Sequence, residues 1–122
     1  MMKNFLLRIF NPEYLAKTTS NPDVLDKLSK SENWQVRCYV ALNPNTKPET
    51  LDVLSRDEDY RIRYCVVLNP NIKPETLDYL SRDEDYRIRY CVAQNPNCSE
   101  RAYKYIMGLN LLRDLQKALE GR

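Results

Sequence analysis

Apolar side chains recur along this chain in two alternating rhythms. In the first, leucines stand three apart: Leu25 and Leu28, Leu51 and Leu54, Leu77 and Leu80. In the second, apolar residues fall at i, i+3 and i+4, as at Ile62, Cys65 and Val66 and again at Ile88, Cys91 and Val92. Each rhythm is that of a helix with one buried edge. Neither run is long, so the pattern predicts pairs of short helices, the first of each pair short enough for 3₁₀ geometry.

The two rhythms alternate because the sequence repeats. Residues 43–68 and 69–94 match at 22 of 26 positions, and a diverged copy, NPDVLDKLSKSENWQVRCYVAL, runs from Asn21 to Leu42. Asn95-Pro96-Asn97 opens a fourth copy, with Tyr103 and Ile106 in the leucine slots. A pair of helices this short cannot bury its own apolar face, so about three or more such units must stack. The predicted architecture is an all-α, short right-handed α-solenoid forming one domain over 1–122. Residues 1–18 form an N-terminal half-unit and 19–42, 43–68 and 69–94 the repeats. Residues 95–122 form a C-terminal cap of one or more helices, with a bend expected at Gly108.

Local signals place the helices. Pro22, Pro48 and Pro74 open the first helix of each unit, as suits the first helical position. Ser31, Asp57 and Asp83 are the expected N-caps of the second helices, with Ser55–Glu58 and Ser81–Glu84 as alternative capping boxes. Acidic residues are then expected in the first turn. The second helices must stop near Asn69 and Asn95, since a residue preceding proline is pushed away from helical geometry.

The string NPNTKPETLDVLSRDEDYRIRYCVVLN resembles the variant leucine-rich repeat, a unit akin to the HEAT repeat. The resemblance rests on Asn43-Pro44, Pro48, Leu51, Leu54, Asp57, Ile62-Arg63, Val66-Val67 and Asn69, and recurs 26 residues later. It implies a superhelix of alternating short helices used for binding. The unit here is slightly longer than the usual one. Some relatives append a cysteine-rich iron–sulfur segment. Nothing like it is present, so no cofactor is expected.

Composition narrows the chemistry. The chain of 122 residues has no His and only two Gly, Gly108 and Gly121. It therefore lacks the usual neutral-pH acid–base group and any glycine-rich phosphate cradle. Cys38, Cys65, Cys91 and Cys98 form no Cys-x-x-Cys pair, so no metal site is expected. Cys65 and Cys91 read as reduced core residues, and Cys98, in a loop with no base in view, reads as incidental. The segment Met1–Phe10 has an apolar run cut by Arg8 and no small-residue cleavage site, which argues against a signal peptide. A cytoplasmic protein with no membrane partner is the expectation.

Three ladders remain. Arg37, Arg63 and Arg89 occur once per repeat; phosphate binding is one use, and pairing with Asp57, Asp83 or nearby carbonyls the structural one. Asn43, Asn69 and Asn95, with Asn45, Asn71 and Asn97, are expected to satisfy backbone groups in the inter-unit turns. The third ladder comprises Trp34, Gln35, Tyr60, Arg61, Tyr64, Tyr86, Arg87 and Tyr90 on the second helices, residue types that dominate protein-binding hot spots. The alternative is that these rings only cover the core edge.

Residues 43–68 and 69–94 each carry four basic and five acidic side chains, net −1. A faintly acidic centre disfavours a nucleic-acid partner. The leading expectation is thus a non-enzymatic protein-interaction module of unknown partner, using the second-helix face. Nucleic-acid binding is the alternative. An enzyme on a HEAT-like scaffold would need a cleft with a perturbed carboxylate, and no residue singles itself out.

Overall fold

The computed structural model describes residues 11–121; the Met1–Phe10 segment weighed above as a signal sequence lies outside the described residues. Eight α-helices and no strands occur among them. They are α1 (Pro12–Thr18), α2 (Pro22–Leu28), α3 (Trp34–Leu42), α4 (Pro48–Leu54), α5 (Tyr60–Val67), α6 (Pro74–Leu80), α7 (Tyr86–Gln94) and α8 (Glu100–Glu120). The seven-residue first helices are α-helical rather than 3₁₀. The chain divides into two compact units, residues 1–73 and 74–122.

Helix starts follow side-chain chemistry. Asn11, Asn21 and Asn33 accept backbone N–H bonds at the starts of α1, α2 and α3. Proline opens α1, α2 and α4 where a free N–H would have no partner. At the second helices the expected caps are displaced by two residues. Asp59 accepts from Arg61 N at 2.9 Å and Asp85 from Arg87 N at 2.9 Å, so these residues, not Asp57 and Asp83, cap α5 and α7. Asp57 and Asp83 instead accept from the backbone N–H of Asp59 and Asp85, shaping the turn before the cap. The acidic run therefore precedes each helix, and neither first turn contains an acidic residue. The capping boxes do not form either: Ser55 and Ser81 donate to the carbonyls of Asp52 and Asp78.

In the first unit the leucine edge of α2 and α4 meets the apolar stripe of α3 and α5. Leu25, Val36, Val40, Leu51, Ile62 and Val66 are fully buried, and each such side chain contributes about 1.5–3 kcal/mol by leaving water. Two asparagines tie repeat to repeat. Asn43 Nδ2 donates to the carbonyls of Ala16 and Thr19, both at 2.9 Å. One repeat on, Asn69 Nδ2 donates to the carbonyls of Ala41 (2.7 Å) and Asn43 (2.9 Å). Each Oδ1 accepts from the N–H two residues ahead, at Asn45 and Asn71. A surface rung accompanies them: Lys47 pairs with Asp23 and Lys73 with Glu49, exposed contacts of small energetic weight.

In the second unit Leu77, Leu80, Ile88, Val92, Ala102 and Ile106 form the core. Ser99 caps α8 through Ala102 N and donates to Asp78 on α6 at 2.7 Å. The leucine slots of the fourth copy are filled differently from expectation. Tyr103 points outward and Ala102 takes its place in the core, while Ile106 is buried as expected. Helix α8 runs unbroken through Gly108.

Replacing Asn69 by alanine should cost about 2–4 kcal/mol in urea denaturation, because two buried carbonyls and an N–H lose their partner. Asn45→Ala, at an exposed position, should stay within about 0.5 kcal/mol. A cost below about 1 kcal/mol for Asn69→Ala would show that the bridge does not hold the repeats together.

Candidate functional site

Helices α3 and α5 pack side by side in the first unit and set Trp34, Gln35, Tyr60, Arg61 and Tyr64 on or near their exposed surface. The centre of this surface is a stack. The Arg61 guanidinium carbon lies 3.5 Å from the centroid of the Trp34 ring, well inside the range for a cation–π contact. Its N–H edge is held by Asp59: Nε donates to Oδ1 at 3.0 Å and a terminal nitrogen to Oδ2 at 2.7 Å.

Asp59 thus does two jobs. The carboxylate that caps α5 also fixes the direction of Arg61, and hence where the guanidinium sits over Trp34. Hydrogen bonding from the Arg61 side chain pulls the Asp59 pKa below its ordinary value of 3.8, burial opposing. Tyr60 and Tyr64, one helical turn apart, are 45% and 39% exposed. Both rings are thus half-exposed, and each makes further contacts.

The second unit carries the same chemistry on α7. Arg87 Nε donates to Asp85 at 3.1 Å and a terminal nitrogen to it at 2.8 Å. Tyr86 and Tyr90 are 60% and 57% exposed. On α8 the ring of Tyr105 lies under the Arg82 guanidinium at 4.4 Å, an aromatic–arginine contact that the sequence reading missed. Only the 82-to-105 separation between elements hid it.

The conserved-looking ladders occupy the interior edge of the helices instead. Arg37 Nε donates to Asp57 Oδ2 at 2.8 Å, and its guanidinium also reaches the carbonyls of Ser31 and Glu32. Arg63 is buried and donates to the carbonyls of Asp57 and Glu58. Arg89 donates to the carbonyl of Asp83 at 2.6 Å. An open polar groove of about 650 Å³ is lined by Arg37, Arg56, Asp57, Glu58 and Asp59. Asp57 and Asp59 enter it already paired with Arg37 and Arg61. Among the described residues no cluster of His, Cys, Asp or Glu has the arrangement to hold a metal ion, and no helix is long and apolar enough to cross a membrane.

Cys65 is buried as expected, while Cys91 is only half-buried. Burial pushes the Cys98 thiol up, with Asp78 adding to the effect, so its loop position does not activate it. The thiol that is drawn toward neutrality is Cys38, beside Cys65. A 27-residue spacing between the two was the available signal.

Residues 34–59, from the start of α3 to the cap of α5, match the family model described as leucine rich repeat variant. The chain is thus a repeat protein carrying this unit in an all-helical architecture. No curated protein and no solved structure matches it.

Asp59→Asn keeps a capping oxygen but removes the ion pair with Arg61. Because the folded-state pKa is depressed, the stabilisation is present above 3.8 and lost as pH falls through the folded value. The variant should therefore be less stable than the parent near pH 7 and indistinguishable from it near the acid limit, as read by urea midpoints across pH. A stability difference independent of pH would show that the charge contributes nothing.

Proposed function

We propose that this chain is a non-enzymatic interaction module that binds a protein partner through the exposed face of its second helices. The observation that carries the reading is the Asp59–Arg61–Trp34 stack flanked by Tyr60 and Tyr64. Aromatic and arginine side chains contribute most to protein–protein affinity, and they contribute more when little rotamer freedom is lost on binding. Here Arg61 is already fixed on both sides before a partner arrives. In the second unit Tyr86, Arg87 and Tyr90 supply an equivalent set. The repeat match supports the same reading, since repeat scaffolds of this kind are built for extended contact surfaces.

The same ion pairs weigh against a nucleic-acid partner. Arg61 and Arg87, the exposed arginines best placed to meet phosphates, are each neutralised by an aspartate two residues earlier. We place the protein in the cytoplasm, a reducing compartment in which its four unpaired thiols persist.

The test is crosslinking capture from the native extract with the parent chain and with Tyr64→Ala/Tyr90→Ala. Loss of two hot-spot rings should weaken binding by roughly 30-fold or more, at about 2 kcal/mol. Melting should be unchanged. Undiminished capture by the double variant would remove the tyrosines from the interface. Capture that collapses steeply with salt and requires nucleic acid would replace the protein partner with a phosphate backbone.

A further inference from the structure

The groove between α6 and α8 in the second unit is built from residues that depart from the repeat. Its volume is about 310 Å³, and its walls include Tyr79 of α6, Arg82 of the turn that follows, and Arg101 and Tyr105 of α8. The Arg82 guanidinium lies over the Tyr105 ring at 4.4 Å, a cation–π contact that holds it in place without a counter-charge. Arg101 stands one helical turn before Tyr105, so the two share a face of α8. Both arginines are exposed. Among the described residues neither forms an ion pair, in contrast to Arg37, Arg61, Arg87 and Arg113.

The register of the repeat shows how the groove acquires its charge. Asp23, Glu49 and Glu75 hold one slot of the first helices, and in the fourth copy that slot is Arg101. In the earlier copies the acidic side chain meets a lysine of the next repeat, Asp23 with Lys47 and Glu49 with Lys73. Ser99 stands where the next lysine would be, and it donates instead to Asp78 Oδ1 at 2.7 Å. Arg82 repeats Arg56, and Tyr79 and Tyr105 repeat Val53. Arg56 lines a groove whose charged walls are two arginines and three carboxylates, net −1. Around Arg82 the charged walls are two arginines and Asp78, net +1. One arginine slot thus sits in grooves of opposite sign.

We propose that the α6–α8 groove is a binding site for an acidic peptide segment, with a glutamate or aspartate carboxylate held by Arg82 and Arg101 between the rings of Tyr79 and Tyr105. A guanidinium whose face rests on a ring keeps its N–H edge for an anion, and that planar fork matches a carboxylate. One carboxylate balances the net charge of the walls. The volume lies at the lower end of the roughly 300–1,000 Å³ of small-ligand pockets, a size for one side chain. No wall of the groove belongs to α3, α5 or α7, so this site is separate from the tyrosine face of the second helices.

The surroundings favour a peptide over a nucleic acid. A strand of nucleic acid lays a row of negative charges along the surface that binds it. Beyond the groove, residues 69–94 carry five acidic side chains against four basic ones, which opposes such a row. A single acidic side chain meets only the two arginines. Because both are exposed, the attraction is screened over about 8 Å at physiological salt, and the tyrosine rings supply the apolar contact that salt leaves intact.

The experiment is fluorescence anisotropy of a labelled hexaglutamate peptide titrated with the full chain at low ionic strength. The parent should bind, and binding should weaken as salt rises toward about 0.15 M. Arg82→Ala and Arg101→Ala should each weaken it about ten-fold, equivalent to about 1.4 kcal/mol, with melting unchanged because both side chains are exposed. Arg82→Lys keeps the charge without the fork and should fall between parent and alanine. Arg113→Ala, on the same helix but already paired with Asp114, should bind like the parent. Tyr64→Ala/Tyr90→Ala should also bind like the parent, which separates this site from the tyrosine face. No binding by the parent, an equal loss in Arg113→Ala, or tighter binding of an oligothymidylate strand through the same two arginines would each overturn the proposal.

Discussion

A buried primary amide at the end of α3, recurring two residues beyond α5, governs how the repeats of the first unit are joined. Helices of seven to nine residues are barely stable alone, and each leaves carbonyl groups at its C-terminus that must find donors. Asn43 and Asn69 supply those donors from the next repeat, while their own oxygens fasten the following turn. No other side chain of that size offers two donors and an acceptor without a charge, so aspartate or leucine in the slot would leave buried groups unpaired. The apolar core supplies the stabilisation. The asparagines decide that repeats stack in one register.

With the register fixed, the rest of the repeat divides by direction. Residues pointing between helices are leucine, isoleucine, valine and the backbone-bound Arg63. Residues pointing outward are the tyrosines, and Arg61 is the hinge between the two sets. Its partner Asp59 belongs to the turn, its cation to the surface, and its neighbour Trp34 to the previous repeat. The same side chain therefore couples helix capping to the presentation of an exposed aromatic surface.

Periodicity carried the fold. The two helical rhythms, the 26-residue repeat and the proline starts place α2 to α7 within a residue or two. The N-caps were misplaced because local capping rules cannot choose among Asp57, Glu58 and Asp59. The same offset recurs at Asn33, Asp59 and Asp85, each held by the side chain two residues earlier. Tyr103 was misplaced because α8 departs from the repeat's side-chain sizes, and Ala102 fits the core where a tyrosine would not. The exposed aromatic residues were identifiable as positions the scaffold does not require. Their stacking on arginine was not, since it depends on contacts 27 and 23 residues apart in sequence between separate elements.

Trp34 is the only tryptophan in the chain, and a guanidinium lies over its ring. Its fluorescence is therefore a local gauge, sensitive to whether the first turn of α5 still holds Arg61 in place. Circular dichroism sums over every helix of the chain. Where the two signals change together, the units melt as one cooperative body; where emission moves first or last, the difference between the curves measures how far the second unit stands without the first.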